Sequence, residues 1–199
     1  MKTYTIAITG ASGSIYGIRL MEYLMREGHR VYLTITKEGF SIIKDEVGYN
    51  WCGSEERVAR KIKKDTEIKE GELLFFYEDN LHAPISSGSV KVDGMIIIPC
   101  SMKTLSGVAN GYANNLVERA ADVIIKEKNQ LIIVPRETPL NAIHLKNMLT
   151  LARLGVYIIP AMPGFYHHPK IIDDMIDFIV GKVLDALHIE NSLFKRWGN

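Results

Sequence analysis

Residues Tyr4 to Gly17 read YTIAITGASGSIYG: an apolar, strand-like run, Tyr4–Thr9, opens into a loop of small residues. A helical stripe follows across Ile15–Glu27, with apolar or aromatic residues at Ile15, Ile18, Met21, Leu24 and Met25. Glycine and serine in the turn let backbone N–H groups approach a ligand closely, and the helix start favours an anion. The glycine spacing is not G-x-G-x-x-G, so the dinucleotide fingerprint is missing. Three Gly and two Ser still favour a phosphate- or cofactor-binding loop over a plain tight turn.

The same alternation continues outward. Val31–Thr36, Leu73–Tyr77, Met95–Ile98, Leu131–Val134 and Val156–Ile159 are further short apolar runs. Helical patterns cover Gly39–Glu46, Ser101–Ala109, Asn115–Lys128, Asn141–Arg153 and Lys170–Leu187. Nearly all-apolar strands separated by helices describe a Rossmann-like, doubly wound parallel sheet in a three-layer α/β/α arrangement. The charged stretch Trp51–Glu72 reads as a surface excursion with a short helix. No repeat, low-complexity segment or linker divides the chain, so residues 1–199 are expected to form one domain. In this fold class ligands bind outside the carboxyl ends of the strands.

Composition narrows the function. Twenty-four Lys and Arg against 23 Asp and Glu leave a net charge of +1, which argues against a general nucleic-acid binder. No apolar run reaches the roughly 18 residues of a membrane span. The first ten residues read as strand and turn rather than as a secretory signal. Two cysteines, Cys52 and Cys100, are too few for a disulfide framework. A cytoplasmic protein is expected.

Several strand ends carry candidate ligand groups. Thr36-Lys37 ends the second run where an NAD-binding protein would carry an acid; a hydroxyl and an ammonium suit a phosphate. Ala83–Ser89 is small and rich in donors, and Pro99–Thr104 opens a helix whose N–H groups point outward. Ser101 is equally readable as a plain N-cap. Cys100, flanking an apolar strand, reads as a small buried hydrophobe.

Charges add further candidates. Arg119 and Lys126 are seven residues apart on one helical stripe, and Arg136-Glu137 follows a strand end. Lys182 shares a stripe with Met175, Ile179 and Ala186, where a long side chain snorkels outward or holds an anionic ligand. His167 and His168 are adjacent, so they point apart, and no acid or cysteine cluster accompanies them; a metal site is not expected.

Read together, GASGSIYG, ISSGS, PCSMKTLSG, RAADVIIKE, RETPL, PGFYHHP and FKRW resemble the flavin prenyltransferase family, the UbiX type, in order from residue 4 to near 197. The resemblance implies a metal-independent enzyme that joins a dimethylallyl group from dimethylallyl phosphate to N5 and C6 of reduced FMN. The prenylated FMN would pass to a UbiD-type decarboxylase. It also implies a homo-oligomer, typically a dodecamer, with sites at subunit interfaces. Carried over by residue, Gly10, Ala11 and Ser12 would contact the flavin, with Ser12 near N5. Thr36 would bind the FMN phosphate, and Ser101, Met102, Lys103, Thr104 and Arg136 would line the flavin. Arg119, Lys126, Tyr166 and Lys182 would surround the prenyl phosphate. Glu46 and Glu137 match acidic positions implicated in catalysis, alongside Ser12, Lys126 and Tyr166, and Trp197 matches an aromatic of the C-terminal tail.

One departure stands out: the family usually has Arg where this chain has Lys182, which keeps the charge and loses the bidentate fork. The sequence leaves open the mono- or diphosphate preference. Rival readings fit less well. A peptidyl-cysteine-type decarboxylase carries a PxMNxxMW-like stretch, which Pro139–His144 does not match. A non-catalytic flavin-carrier subunit of a decarboxylase leaves Lys126, Glu137 and Tyr166 without a purpose. A nicotinamide oxidoreductase lacks both the fingerprint and the ribose acid.

Overall fold

The computed structural model of the chain describes residues 1–198. The apolar runs form strands because β-branched residues fit a pleated surface buried on both sides. The strands are β1 (Thr3–Ile8), β2 (Arg30–Ile35), β3 (Glu72–Tyr77), β4 (Gly94–Cys100), β5 (Leu131–Pro135) and β6 (Tyr157–Ile158). The helices are α1 (Ser14–Arg26), α2 (Lys37–Val47), α3 (Glu55–Asp65), α4 (Met102–Ala109), α5 (Leu116–Lys126), α6 (Ala142–Arg153) and α7 (Ile172–Ala186). All strand pairs are parallel, in the order β3-β2-β1-β4-β5-β6. The direction of winding reverses between β1 and β4, which opens a crevice at their carboxyl ends.

Strand alternation divides the core between two layers. Tyr4, Ile6, Ile8, Val31, Leu33 and Ile35 pack against residues of α1 and α7 such as Leu24 and Val183. Ala7, Met95, Ile97 and Ile133 face the other way, onto Leu105 of α4 and Val117 and Ala120 of α5. All seven residues of β4 are buried, as a central strand requires. The doubly wound, three-layer expectation is met.

Two expectations need correction. The Trp51–Glu72 excursion is more integral than its charge suggests: α3 spans eleven residues and fully buries Val58 and Ile62, an i,i+4 pair. Trp51 is also buried and donates from Nε1 to Asp65 at 2.9 Å. A two-residue stripe among so many charges is too narrow to register as a pattern. The second helix begins at Lys37 rather than Gly39, because Thr36 caps it: Thr36 Oγ1 accepts from the Gly39 N–H at 3.1 Å. Among the described residues, no helix is long and apolar enough to cross a membrane.

Candidate functional site

The crevice is tied together by a residue that the sequence reading passed over. Thr9, fully buried at the end of β1, donates from Oγ1 to the Pro99 carbonyl at 2.8 Å. The same oxygen accepts from the Ser101 N–H at 2.8 Å. One hydroxyl thus fixes the loop after β1 against the loop after β4. Its only sequence signal is a hydroxyl residue at the end of an apolar run.

The first loop does not receive an anion in the way its glycines suggest. Gly13, at φ 95°, is the N-cap of α1. Its N–H donates to the Glu46 carboxylate at 3.0 Å, and the Ser14 N–H and hydroxyl donate to Glu46 Oε2 at 3.0 and 2.9 Å. The α1 N-terminus is therefore served by the protein's own carboxylate, sent over from α2. Burial alone would raise the Glu46 carboxyl; hydrogen bonds from the Ser12 and Ser14 hydroxyls and from the Ser14 and Gly13 N–H groups outweigh it and hold it below the ordinary range. Gly10 has a packing reason: a Cβ there would lie 2.5 Å from Glu38 Cβ. Ala11 is buried beside it, and Ser12 is exposed at the loop tip.

Around this loop stand the other predicted ligand groups. With its acceptor side used by Gly39, Thr36 keeps its hydroxyl proton for another partner. The Lys37 N–H is already taken by Glu78 at 2.6 Å. Ser101 is an N-cap, accepting from the Thr104 N–H at 3.3 Å and lying 3.2 Å from the Thr104 hydroxyl. That leaves the first-turn N–H groups of Met102 and Lys103 for an outside acceptor. Lys103 extends into solvent toward Glu38, 3.6 Å away. Arg136 and Glu137 form no pair with each other among the described residues. Arg136 Nε donates to the Ser12 carbonyl at 3.1 Å, and Glu137 accepts from its neighbour's N–H, Thr138, at 3.0 Å. Tyr16, half-buried behind the loop, has its phenol raised by that burial, with Arg136 opposing and Glu46 adding to the rise. Hydroxyls, free N–H groups and a planar guanidinium on one crevice suit a flat, phosphorylated ligand. Cys100 is fully buried, and burial pushes its thiol far up, as a small core residue should be.

A second cluster forms where the segment after β6 meets α7 and the tail. Tyr166 packs edge-on against Phe178 at 5.7 Å and against Trp197 at 5.4 Å. His167 stacks on Phe178 at 5.0 Å. Lys182 lies half-exposed one turn beyond Phe178, its ammonium 5.9 Å from the Phe194 ring centre and 3.8 Å from Asp185. It reaches outward from the apolar stripe. Trp197 is 79% exposed.

Arg119 and Lys126 are not gathered into this arrangement by a single chain. α5 begins at the carboxyl edge, where the Leu116 N–H donates to the Glu78 carbonyl just past β3. It ends at the amino edge, just before Gln130, whose carbonyl accepts from Met95 N–H at the start of β4. Lys126, the last residue of α5, therefore lies across the sheet from the crevice, beside Glu127. Arg119 stands two turns earlier, facing Asp122 at 3.8 Å. Among the described residues no three His, Cys, Asp or Glu side chains are grouped to hold a metal ion.

Comparison with known proteins supplies the chemistry. A family model described as Flavoprotein matches residues 1–185. The flavin prenyltransferase UbiX of Halalkalibacterium halodurans is 53% identical over 195 residues, covering 98% of this chain and 93% of that protein. The chain belongs to the flavin prenyltransferase family. Within the family, the UbiX of Methanocaldococcus jannaschii is 46% identical and covers 97% of each chain. Among solved structures, AnUbiX in complex with FMN and dimethylallyl pyrophosphate has a TM-score of 0.88 at 36% identity, covering 100% of this chain and 98% of that one. The dodecameric FMN-dependent UbiX-like decarboxylase of Escherichia coli O157:H7 has a TM-score of 0.87 at 39% identity, covering 99% and 100%. The cysteine decarboxylase TvaF, at 16% identity and a TM-score of 0.56, shares the fold alone.

Proposed function

We propose that this enzyme transfers a dimethylallyl group from dimethylallyl phosphate to N5 and C6 of reduced FMN and supplies the product to a UbiD-type decarboxylase. The observation that carries the reading is the relative solved with FMN and dimethylallyl pyrophosphate together, which matches this chain from end to end. The crevice donors, Thr36, Met102, Lys103 and Arg136, fit the flavin. The α7–tail corner, with Lys182, Tyr166 and Trp197, fits the prenyl phosphate.

The transfer breaks the allylic C–O bond, releases inorganic phosphate and forms one bond to N5 and one to C6. The N5 proton leaves with the phosphate, and the C6 proton balances the one added to the alkene. Cations and the Tyr166 hydroxyl stabilise charge on the leaving phosphate, while aromatic faces tolerate the allylic cation. Ser12 is set at the loop tip by Arg136 on its carbonyl. Glu137, exposed and bonded only to a neighbouring N–H, is the freer of the two acids to carry a proton; Glu46, engaged by Gly13 and Ser14, holds the loop.

Lys126 reaches such a site only from a neighbouring copy, so activity requires an assembly. The dodecameric relative from Escherichia coli supports that reading. The test is anaerobic incubation of the protein with reduced FMN and dimethylallyl phosphate, then mass spectrometry of the released flavin. A gain of one isoprene unit is expected. Unmodified FMN with either the mono- or the diphosphate would overturn prenyl transfer and favour the decarboxylase activity ascribed to that relative.

A further inference from the structure

The C-terminal tail is fastened to α7 through a single carboxylate. Arg196 donates from both terminal nitrogens to Asp185, at 2.5 and 2.7 Å, and Asn191 Nδ2 donates to the same carboxylate at 3.0 Å. Lys182 lies one helical turn away on the same helix, its ammonium 3.8 Å from Asp185 Oδ2. The Arg196 guanidinium also covers the Phe194 ring at 4.6 Å, and Phe194 packs on Phe178 at 4.9 Å. The next residue along the tail is Trp197, whose ring meets Tyr166. Asp185 thus connects Lys182, the tail and, through the tail, the Tyr166–Trp197 pair.

Two cations compete for this carboxylate on unequal terms. A guanidinium that engages both oxygens is held more strongly than an ammonium at 3.8 Å. Burial alone would raise the Asp185 carboxyl, but the hydrogen bonds of Arg196 and Asn191 and the charges of Arg196 and Lys182 keep it low, so it stays ionised. With both oxygens occupied, Lys182 is left 46% exposed and loosely attached. Without Arg196, the nearest cation for that carboxylate is Lys182.

We infer that Arg196 and Asp185 are positioning residues for the prenyl-phosphate subsite: Arg196 occupies Asp185, which keeps the Lys182 ammonium available to the phosphate and seats Trp197 against Tyr166. The inference rests on the prenyl-transfer reading. It deepens that reading by explaining how a lysine serves where the family usually carries an arginine. A purely structural latch would make each variant of the pair equally damaging, whereas competition for Lys182 makes the effects unequal.

The experiment compares the wild-type assembly with Arg196→Gln, Asp185→Asn and the double variant, measuring KM for dimethylallyl phosphate, kcat and FMN affinity. Losing a charge-assisted contact to the phosphate is expected to raise KM about tenfold in Arg196→Gln, with FMN affinity unchanged. In the double variant the carboxylate charge is gone and Lys182 is released, so KM recovers most of the way to the value of Asp185→Asn alone. Arg196→Lys, which keeps the charge without the fork, is expected to fall between wild type and Arg196→Gln, and it serves should Arg196→Gln fold poorly. A double variant no better than Arg196→Gln, or a loss of FMN affinity parallel to the rise in KM, overturns the inference. If wild type makes no prenylated flavin, the proposed function fails first. Binding of dimethylallyl phosphate, followed through the difference in tryptophan fluorescence against Trp197→Phe, then decides the latch: weaker binding in Arg196→Gln, restored in the double variant, supports it, and no binding or no restoration overturns it.

Discussion

Thr9 and Asp185 each tie together stretches of the chain that meet at one part of the proposed site, but they do so in different surroundings. Thr9 is sealed in the core and joins uncharged backbone groups ninety residues away. Asp185 is 28% exposed at its side chain and joins charged ones. A buried neutral bridge is costly to break, because its partners are left unsatisfied, and it ignores salt. A part-exposed ionic bridge is weaker, screened by salt and easily remade. The proposed flavin side of the site is accordingly built as a fixed bed, and the tail side as a fastening that can open.

The sharpest way to break the fixed bed is Thr9→Val, which leaves the Ser101 N–H unpaired and the Pro99 carbonyl with only the longer bond from the Thr9 N–H at 3.3 Å. A loss of about 2–4 kcal/mol is expected in urea denaturation, with Thr9→Ser close to wild type. Next comes Glu46→Gln, which keeps the shape but not the charge and should cost about 1–2 kcal/mol with weaker FMN binding. Because the folded Glu46 carboxyl is held below its ordinary value, its contribution is complete above the ordinary carboxylate range and is lost as pH falls through the depressed value. Stability measured across that acidic window should therefore fall more steeply in wild type than in Glu46→Gln; parallel curves would count against the contacts described here.

The tail side calls for gentler tests. Raising salt from about 0.05 to about 0.5 M should increase tryptic cleavage after Lys195 or Arg196 relative to cleavage after Lys128, read by intact mass. Equal rates at both salts would mean that the tail is held by its aromatic contacts alone. The smallest effect belongs to Lys103→Ala: its partner Glu38 lies 3.6 Å off and both side chains are well exposed, so stability should move by less than about 0.5 kcal/mol.

The sheet was legible because six apolar runs with helical stripes between them admit few other arrangements. The strand-end rule pointed to the loops after β1 and β4, which Thr9 joins in the structure. What the sequence concealed was the destination of side chains. Glu46 lies 33 residues from Gly13, and no local pattern reveals that it caps α1. Thr36 looks like a phosphate donor in sequence and is a helix cap first, whereas Ser101 is the N-cap that its sequence equally allowed. Val58 and Ile62 were masked by the charges around them. Lys126 shows the opposite problem: its motif is recognisable, but a single chain puts it on the far edge of the sheet, and only symmetry could return it to a site.

The carboxylate at the start of α1 has a consequence for redesign. In folds of this architecture that position is where a dinucleotide leaves its pyrophosphate. Here the berth is filled from within, so restoring the missing glycine spacing would not by itself make a dinucleotide site. A pyrophosphate would meet a resident negative charge that the protein cannot release without loosening its own loop. Converting the specificity would have to begin thirty residues downstream, at Glu46, far from the motif that advertises it.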